Sequence, residues 1–167
     1  MDREILDLIK EFAEKLPRFP DGRIDYSNSE TAPVITVFIV YKDEILLLKR
    51  SNSVRTYKGK WNTVAGYLDE LKPVYSKILE ELREEIGLTE DNILSYHLGE
   101  SFTFTDKSIG KTWIVHPACV ILKEKPSIKL DWEHTEYRWV KPMDIDDFDT
   151  VPNIKESLDR ILEFLNL

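Results

Sequence analysis

Two apolar runs typical of β-strands constrain this chain more than any other feature. The first run, VITVFIVY, spans residues 34–41, and the second, EILLLKR, spans residues 44–50. Only Lys42 and Asp43 separate them. β-branched and aromatic residues favour extended chain, and a short polar break between such runs is typical of a hairpin turn. We therefore predict two antiparallel strands joined at Lys42-Asp43.

Helices and further strands surround this predicted hairpin. Apolar spacings of three and four predict helices over residues 2–16, 74–86 and 154–166. The Pro-, Gly-, Asn- and Ser-rich stretch before Pro33 predicts a tether. Strands are predicted over residues 61–65, 93–105, 111–122 and 137–140. Strands interleaved with helices indicate a mixed-sheet fold of the α/β or α+β class.

Composition excludes several classes of protein. The chain has 167 residues, which favours one domain, and its 31 acidic against 23 basic residues give a net charge of -8. This balance argues against a nonspecific binder of nucleic acid or of anionic membranes. A single cysteine, Cys119, excludes an intrachain disulfide and a Cys-rich zinc site. The apolar runs are too short to span a bilayer, and MDREILDLIKEF is unlike a signal peptide. We expect a soluble cytoplasmic protein.

The helix predicted over residues 74–86 carries a cluster of acids. Glu81, Glu84 and Glu85 are spaced at i, i+3 and i+4, so they share one face. Like charges at this spacing repel unless a cation neutralises them, and carboxylate oxygens suit Mg²⁺ or Mn²⁺. The alternative is a solvated acidic face on which Lys77 and Arg83 form helix ion pairs. Spacing alone does not decide between these interpretations.

The residues around this helix resemble the signature of the Nudix hydrolase family, G-x5-E-x7-R-E-U-x-E-E-x-G-U, where U is aliphatic. Residues 66–88 read GYLDELKPVYSKILEELREEIGL. The matching positions are Gly66, Glu81, Leu82, Glu84, Glu85, Gly87 and Leu88. The resemblance implies an α/β/α sandwich with a mixed β-sheet over residues 33–167. An N-terminal helix and tether over residues 1–32 lie outside it.

Two signature positions differ, and both differences are charge reversals. Lys72 stands where the family has Glu, and Glu80 stands where it has Arg. In the family these two positions form a structural ion pair, so a Lys72–Glu80 pair would keep the link with its polarity exchanged. Lysine offers a point charge where arginine offers a planar fork. If the link is lost instead, we expect an impaired enzyme.

The resemblance implies metal-dependent hydrolysis of a diphosphate linkage in a nucleoside diphosphate joined to another moiety. Mg²⁺ or Mn²⁺ would be held by Glu81, Glu84 and Glu85 and by the backbone carbonyl of Ala65. Glu81 is also a candidate base. The expected partner is a small nucleotide derivative, and family resemblance makes a homodimer possible.

Many family members use one more carboxylate from a late loop. The segment WEHTEYRWV offers Glu133 and Glu136. We favour Glu133 as a ligand or general base, because Glu136 adjoins the predicted strand. We expect His134 to be an exposed loop histidine.

A basic loop precedes the signature. Residues 49–60 contain five Lys or Arg side chains and no acid. The loop leads into Gly66, so its cations could contact substrate phosphates, and we select Arg50 and Arg55. The alternative is a solvated loop that aids solubility.

Two other functions fit the signature less well. An isomerase of isopentenyl diphosphate needs a cysteine beside Gly66, where this chain has Val64 and Ala65. A catalytically weak nucleotide sensor or interaction module would explain the two charge reversals. Retention of all three helix carboxylates argues against that reading, since such a cluster is costly to keep.

Overall fold

The strand that contains VITVFIVY forms the centre of one mixed β-sheet. The computed structural model describes residues 2–165. Its strands are Thr31–Tyr41 (β1), Glu44–Arg50 (β2), Trp61–Asn62 (β3), Val64–Tyr67 (β4), Ile93–Leu98 (β5), Phe102–Asp106 (β6), Lys111–Leu122 (β7) and His134–Val140 (β8). Strand β1 pairs in parallel with β7 and antiparallel with β2 and β4, which follow one another along its other edge. β2 also pairs antiparallel with β3 and β8, and β7 with β5 and β6.

Both faces of this sheet are covered, which explains the continuous apolar character of β1. Successive side chains of a strand point to opposite faces. Ile35 and Val37 pack into a core with two helices, α1 (Asp2–Lys15) and α2 (Val74–Ile86), whereas Phe38 packs into a second core with α3 (Ile154–Asp159). The molecule therefore has the helix, sheet and helix layers of the predicted sandwich. Within residues 2–165, no helix is both long and apolar enough to cross a bilayer.

Helix α2 ends where the sequence predicts. Gly87 adopts the left-handed conformation with φ 75°, which glycine tolerates because it lacks a Cβ atom. Its N–H donates to the carbonyl of Arg83, and the Leu88 N–H donates to the carbonyl of Leu82. These bonds satisfy carbonyls that the helix end would leave without partners. The C-terminal end of α2 is thereby held.

The N-terminal segment belongs to the same core as α2. Ile5 and Ile9 of α1 and Ile24 and Tyr26 of the following segment are all buried in it. The Ile24 N–H donates to the carbonyl of Asp69 at 2.9 Å. The part of this segment around Ile24 and Tyr26 is thus packed against the loop that precedes α2. The boundary predicted after residue 32 falls inside β1.

Three predicted elements have different limits. The strand predicted over residues 61–65 is two strands, broken at Thr63, whose hydroxyl donates to the carbonyl of Val37. The strand predicted over residues 93–105 is interrupted near Gly99, where an added Cβ would lie 2.5 Å from the Arg160 carbonyl oxygen. β8 begins at His134 rather than at residue 137.

The C-terminal helix is also shorter than the predicted 154–166. α3 ends at Asp159 and a 3₁₀ turn follows over Leu162–Phe164. The Arg160 guanidinium donates to the carbonyl of Ser101 at 3.1 Å, so this position is held by the β5–β6 connection. Residue 166, the end of the predicted helix, lies outside the described residues.

A buried histidine of β7 predicts a pH dependence of stability. Burial lowers the pKa of His116 from 6.5 to about 4. The unfolded chain therefore binds this proton at a higher pH than the folded chain, and stability falls as pH drops from about 6.5 to about 4. The shift corresponds to roughly 3 kcal/mol of unfolding free energy. Urea unfolding of His116→Gln across this pH range is expected to show a correspondingly smaller loss of unfolding free energy. If the unfolding free energy depends on pH as it does in the unsubstituted protein, the lowered pKa assigned to His116 is contradicted.

Candidate active site

A close contact between β4 and α2 positions the first acid of the signature helix. A Cβ atom on Gly66 would lie 2.6 Å from both Cδ and Oε1 of Glu81. Only glycine therefore lets the Glu81 carboxyl lie against the β4 backbone at this distance. Ala65, the candidate carbonyl ligand, lines the same cavity as Gly66.

Glu81 belongs to a buried set of charges. Its Oε1 lies 3.1 Å from the Nζ of Lys77, which lies 3.1 Å from an oxygen of Asp69. Burial acts to lower the pKa of Lys77, but Glu81 and Asp69 outweigh it and raise that pKa. The alternative interpretation of this acidic helix predicted an ion pair with Lys77, and the Lys77–Glu81 contact is such a pair. It lies in the protein interior, since the Lys77 side chain is only 4% exposed.

Glu85 is the most deeply buried acid of the face. Its exposed fraction is 2%, and its Oε2 has no hydrogen-bond partner within residues 2–165. Burial raises the pKa of Glu85 well above its ordinary value, and the neighbouring carboxyls of Glu81 and Glu133 raise it further. An unpartnered buried carboxylate is unfavourable without a compensating cation or proton.

Glu133 and His134 complete this cluster from the other side. Ligand atoms of Glu85, Glu133 and His134 all lie within 4.8 Å of one another, and His134 Nε2 is 3.7 Å from Glu85 Oε1. Asp131 Oδ1 accepts the Glu133 N–H and lies 3.2 Å from His134 Nδ1. Burial, followed by the charge of Asp131, raises the pKa of Glu133 to about 7. The 131–134 turn thus aims two side chains at α2.

The prediction that His134 is an exposed loop residue is wrong. His134 is 6% exposed, because β8 begins there and pairs with the end of β2 at Arg50. Burial lowers the pKa of its imidazole, although Asp131 opposes the shift.

The two other predicted carboxylates are more peripheral. Glu84 is exposed on α2, and desolvation and the nearby Glu81 raise its pKa. Glu136 is half-buried in β8 and pairs with Arg138 at 3.5 Å. The structure therefore brings Glu133 to the buried cluster and pairs Glu136 with a neighbour on its own strand.

The donor set fits a divalent cation. It supplies carboxylate oxygens from two elements, an imidazole nitrogen and a buried carboxylate oxygen without a donor. Carboxylates are the ligands that Mg²⁺ and Mn²⁺ favour. The observed group joins Glu85 to Glu133 and His134, whereas the sequence grouped Glu85 with Glu81 and Glu84.

The reversed signature residues lie in contact with each other. The Lys72 ammonium donates to Oε2 of Glu80, while the Arg23 guanidinium donates to Oε1 at 2.7 Å. Arg23 Nε is also 3.4 Å from Glu70. Burial acts to raise the pKa of Glu80, but Lys72, Lys77 and Arg23 outweigh it and lower that pKa. The N-terminal segment thus supplies a second cation to this link.

The two predicted phosphate-binding arginines occupy different positions. Arg50 is half-buried, and its Nε donates to the carbonyl of Thr56 at 3.0 Å. It lines a cavity of about 180 Å³ together with Gly66 and Glu133. Arg55 is exposed and lines a neighbouring cavity. Arg50 therefore lies beside the carboxylates, and Arg55 lies farther out.

The sequence pattern does not reveal Arg23, which is 57 residues from Glu80 and has no local spacing to it. The pattern does include His134, but it predicts the wrong environment for that side chain. The contact of Lys77 with Glu81 follows from their i, i+4 spacing, but the burial of Lys77 does not.

We predict that the Lys72–Glu80 contact contributes to stability. In a double-mutant cycle of Lys72→Met and Glu80→Gln, we expect a coupling of roughly 0.5–1 kcal/mol in the free energy of unfolding, as for partly screened ion pairs. The more exposed pair Lys125–Glu44, 3.4 Å apart, is the control and is expected to show less coupling. Strictly additive losses would contradict the link.

We predict that Lys72→Glu alone lowers the free energy of unfolding. The double exchange Lys72→Glu with Glu80→Arg should recover only part of this loss. The new arginine would face Arg23, which now binds Glu80. Recovery is expected to be greater when Arg23→Gln is also present. Equal recovery in both backgrounds would exclude Arg23 from the link.

Comparison with known proteins identifies the family. The family model described as the NUDIX domain matches residues 30–161. No curated protein matches the chain. The MutT protein of Methanosarcina mazei Go1 is 24% identical, with a TM-score of 0.66 over 82% of this chain and 96% of that chain. An Ap4A hydrolase from C. elegans is 20% identical, with a TM-score of 0.65 over 80% of this chain and 96% of that chain.

A third similar structure extends over the N-terminal segment. It is a bifunctional NMN adenylyltransferase/ADP ribose pyrophosphatase from Francisella tularensis, 18% identical, with a TM-score of 0.64. The match covers 97% of this chain and 46% of that chain, so it includes most of residues 1–32. The predicted fold class is confirmed by these structures. Because the NUDIX model covers well over half of the chain, this protein belongs to the Nudix hydrolase family, as its signature predicted.

Proposed function

We propose that this enzyme hydrolyses a diphosphate linkage in a nucleoside diphosphate joined to another moiety, in a reaction that depends on Mg²⁺ or Mn²⁺. The observation that carries the proposal is the buried oxygen of Glu85, which finds no hydrogen-bond partner among residues 2–165 and lies next to Glu133, beside the cavity that Arg50 lines. Acidic ligands and a cation beside one cavity suit a substrate that is a chain of phosphates.

Several residues would hold the metal. Glu85 and Glu133 are the central candidates, with Glu81 and Glu84 on the same helix face and the carbonyl of Ala65 beside Gly66. When bound, the ion neutralises phosphate charge and lowers the pKa of a coordinated water. His134 lies within reach of the same cluster.

The protein's own side chains supply the remaining functions. Arg50 lies in the cavity wall and would neutralise a phosphate oxygen through its guanidinium N–H groups. Glu133 borders the same cavity, and as the alternative to a ligand role its carboxylate would accept a proton from an attacking water. Lys77 stays paired with Glu81 and keeps that carboxylate in place.

Similar proteins support this class of substrate. The C. elegans structure is described as an Ap4A hydrolase, and the Francisella tularensis protein as an ADP ribose pyrophosphatase. The latter is also known in a complex with AMP and a manganese ion. Both descriptions concern diphosphate linkages in nucleotide derivatives, which is the class proposed here.

We predict that hydrolysis depends on Glu85 and Glu133 and does not depend on Glu136. Glu133→Gln is expected to lower kcat by about 100-fold, the scale of a lost general base. Glu85→Gln is expected to abolish the metal-dependent rate, whereas the control Glu136→Gln should retain activity. The assay is release of products from dinucleoside polyphosphates, ADP-ribose and nucleotide sugars with Mg²⁺ or Mn²⁺, identified by mass.

Normal turnover by Glu85→Gln would contradict the assignment of the site. Absence of turnover on the whole panel would contradict the proposed hydrolysis. If nucleotides then still raised the melting temperature, a nucleotide sensor would be the better description of the protein.

We predict that Gly66→Ala weakens metal binding while the fold persists. The new Cβ would overlap the Glu81 carboxyl, which has to move away from β4. Titration with Mn²⁺ is expected to show an affinity lower by about 10-fold or more, as when metal-ligand orientation is disturbed. Gly110→Ala is the control. Its new Cβ would meet no atom within 4 Å, but Gly110 has a φ of +65°, where a side chain strains the backbone. It should lower stability and leave Mn²⁺ affinity unchanged; the same loss in both variants would point to a general effect on folding.

A further inference from the structure

An outer cavity extends the cleft beyond the carboxylate cluster. It measures about 390 Å³ and shares Arg50, Tyr67 and Glu133 with the inner cavity. One wall comes from the N-terminal segment, including Phe19 and Tyr26. Residues 1–32 thus contribute to a cleft whose other walls belong to the Nudix fold.

This wall is held in place. The Tyr26 hydroxyl donates to the carbonyl of Leu68 at 2.7 Å, and the Tyr26 side chain is buried. The Lys111 ammonium donates to the carbonyls of Tyr26 and Ser29. With the Arg23–Glu80 contact, these bonds join residues 23–29 to the loop before α2 and to β7. The segment is therefore a fixed part of the cleft.

Exposed aromatic rings concentrate at this cavity. Four aromatic side chains are exposed within residues 2–165, and three of them line it: Phe19 at 45%, Tyr67 at 42% and Trp132 at 66%. The Tyr67 ring is stacked on Tyr26, with centroids 5.6 Å apart and an interplanar angle of 18°. Large rings left in contact with water are a feature of surfaces that bind.

Cations lie among these rings. Arg50 and Arg55 line the outer cavity, and Arg55 is exposed. Aromatic faces attract planar rings, and guanidinium groups both stack on rings and bind phosphate. Trp132 adjoins Glu133 in the chain, and both residues line the outer cavity.

We propose that Phe19 and Trp132 form a binding site for a planar heteroaromatic ring carried by the phosphate chain of the substrate. The N-terminal segment is then a specificity-determining part of the active site. The inference rests on the proposed function for the identity of the ligand. It predicts that a ligand with such a ring binds more tightly than one without it, and that Phe19 and Trp132 account for the difference.

The test compares a ligand with rings and a ligand without them. Isothermal titration with Mg²⁺ present measures Kd for diadenosine tetraphosphate and for tripolyphosphate, each with methylene groups in place of the bridging oxygens so that neither is hydrolysed. Phe19→Ala and Trp132→Ala are each expected to raise Kd for the dinucleotide about 10-fold, within the range that loss of a base-stacking ring produces. Kd for tripolyphosphate should not change.

Two further variants make the result specific. Trp132→Phe keeps a ring and should restore much of the affinity. Tyr137→Ala removes the exposed aromatic that lies outside both cavities and should change neither Kd. Unchanged dinucleotide binding in Phe19→Ala and Trp132→Ala, or an equal loss for both ligands, would overturn the inference. Because the titration needs no turnover, this result is independent of whether the hydrolysis assay succeeds.

Discussion

Burial of carboxylates on the inner face of α2 is the constraint on which the rest of this site depends. Glu81 and Glu85 are 9% and 2% exposed, and a charge removed from water must find a partner or take up a proton. Glu81 finds Lys77, which Asp69 also contacts. Within residues 2–165 the one ion-pair contact of Glu85 is with His134, and neighbouring acids raise its pKa, so its carboxyl is the one that a metal ion would stabilise most. The fold holds this acid where a cation is needed.

The reversed signature residues show how one structural link can be kept with different chemistry. Coulomb attraction between Lys72 and Glu80 does not depend on which side is positive. A single lysine does not reproduce the planar fork of arginine, but Arg23 contributes such a fork from the N-terminal segment. Two cations therefore hold Glu80. The departure from the signature and the presence of a packed N-terminal segment are two parts of one arrangement.

The N-terminal segment contacts the loop before α2 and also forms one wall of the cleft. Its inner residues, Ile24 and Tyr26, are buried against the core, and its Arg23 binds α2. Phe19 remains at the surface, where it borders the outer cavity. A change in this segment is thus expected to affect both the stability of the signature loop and the recognition of substrate.

The sequence by itself determined the hairpin at Lys42-Asp43, the helix that ends at Gly87, and the acids that share one face of that helix. These features follow from residue periodicity and from backbone conformations that few residues adopt, so they can be read locally. Only the tertiary structure decided that His134 is buried against Glu85 and that Arg23 reaches Glu80, because these contacts join segments far apart in the chain. It also set the end of α3, where Arg160 is held by the β5–β6 connection. Local propensity carries no information about such partners, and burial, which governs their charges, is a property of the packed molecule.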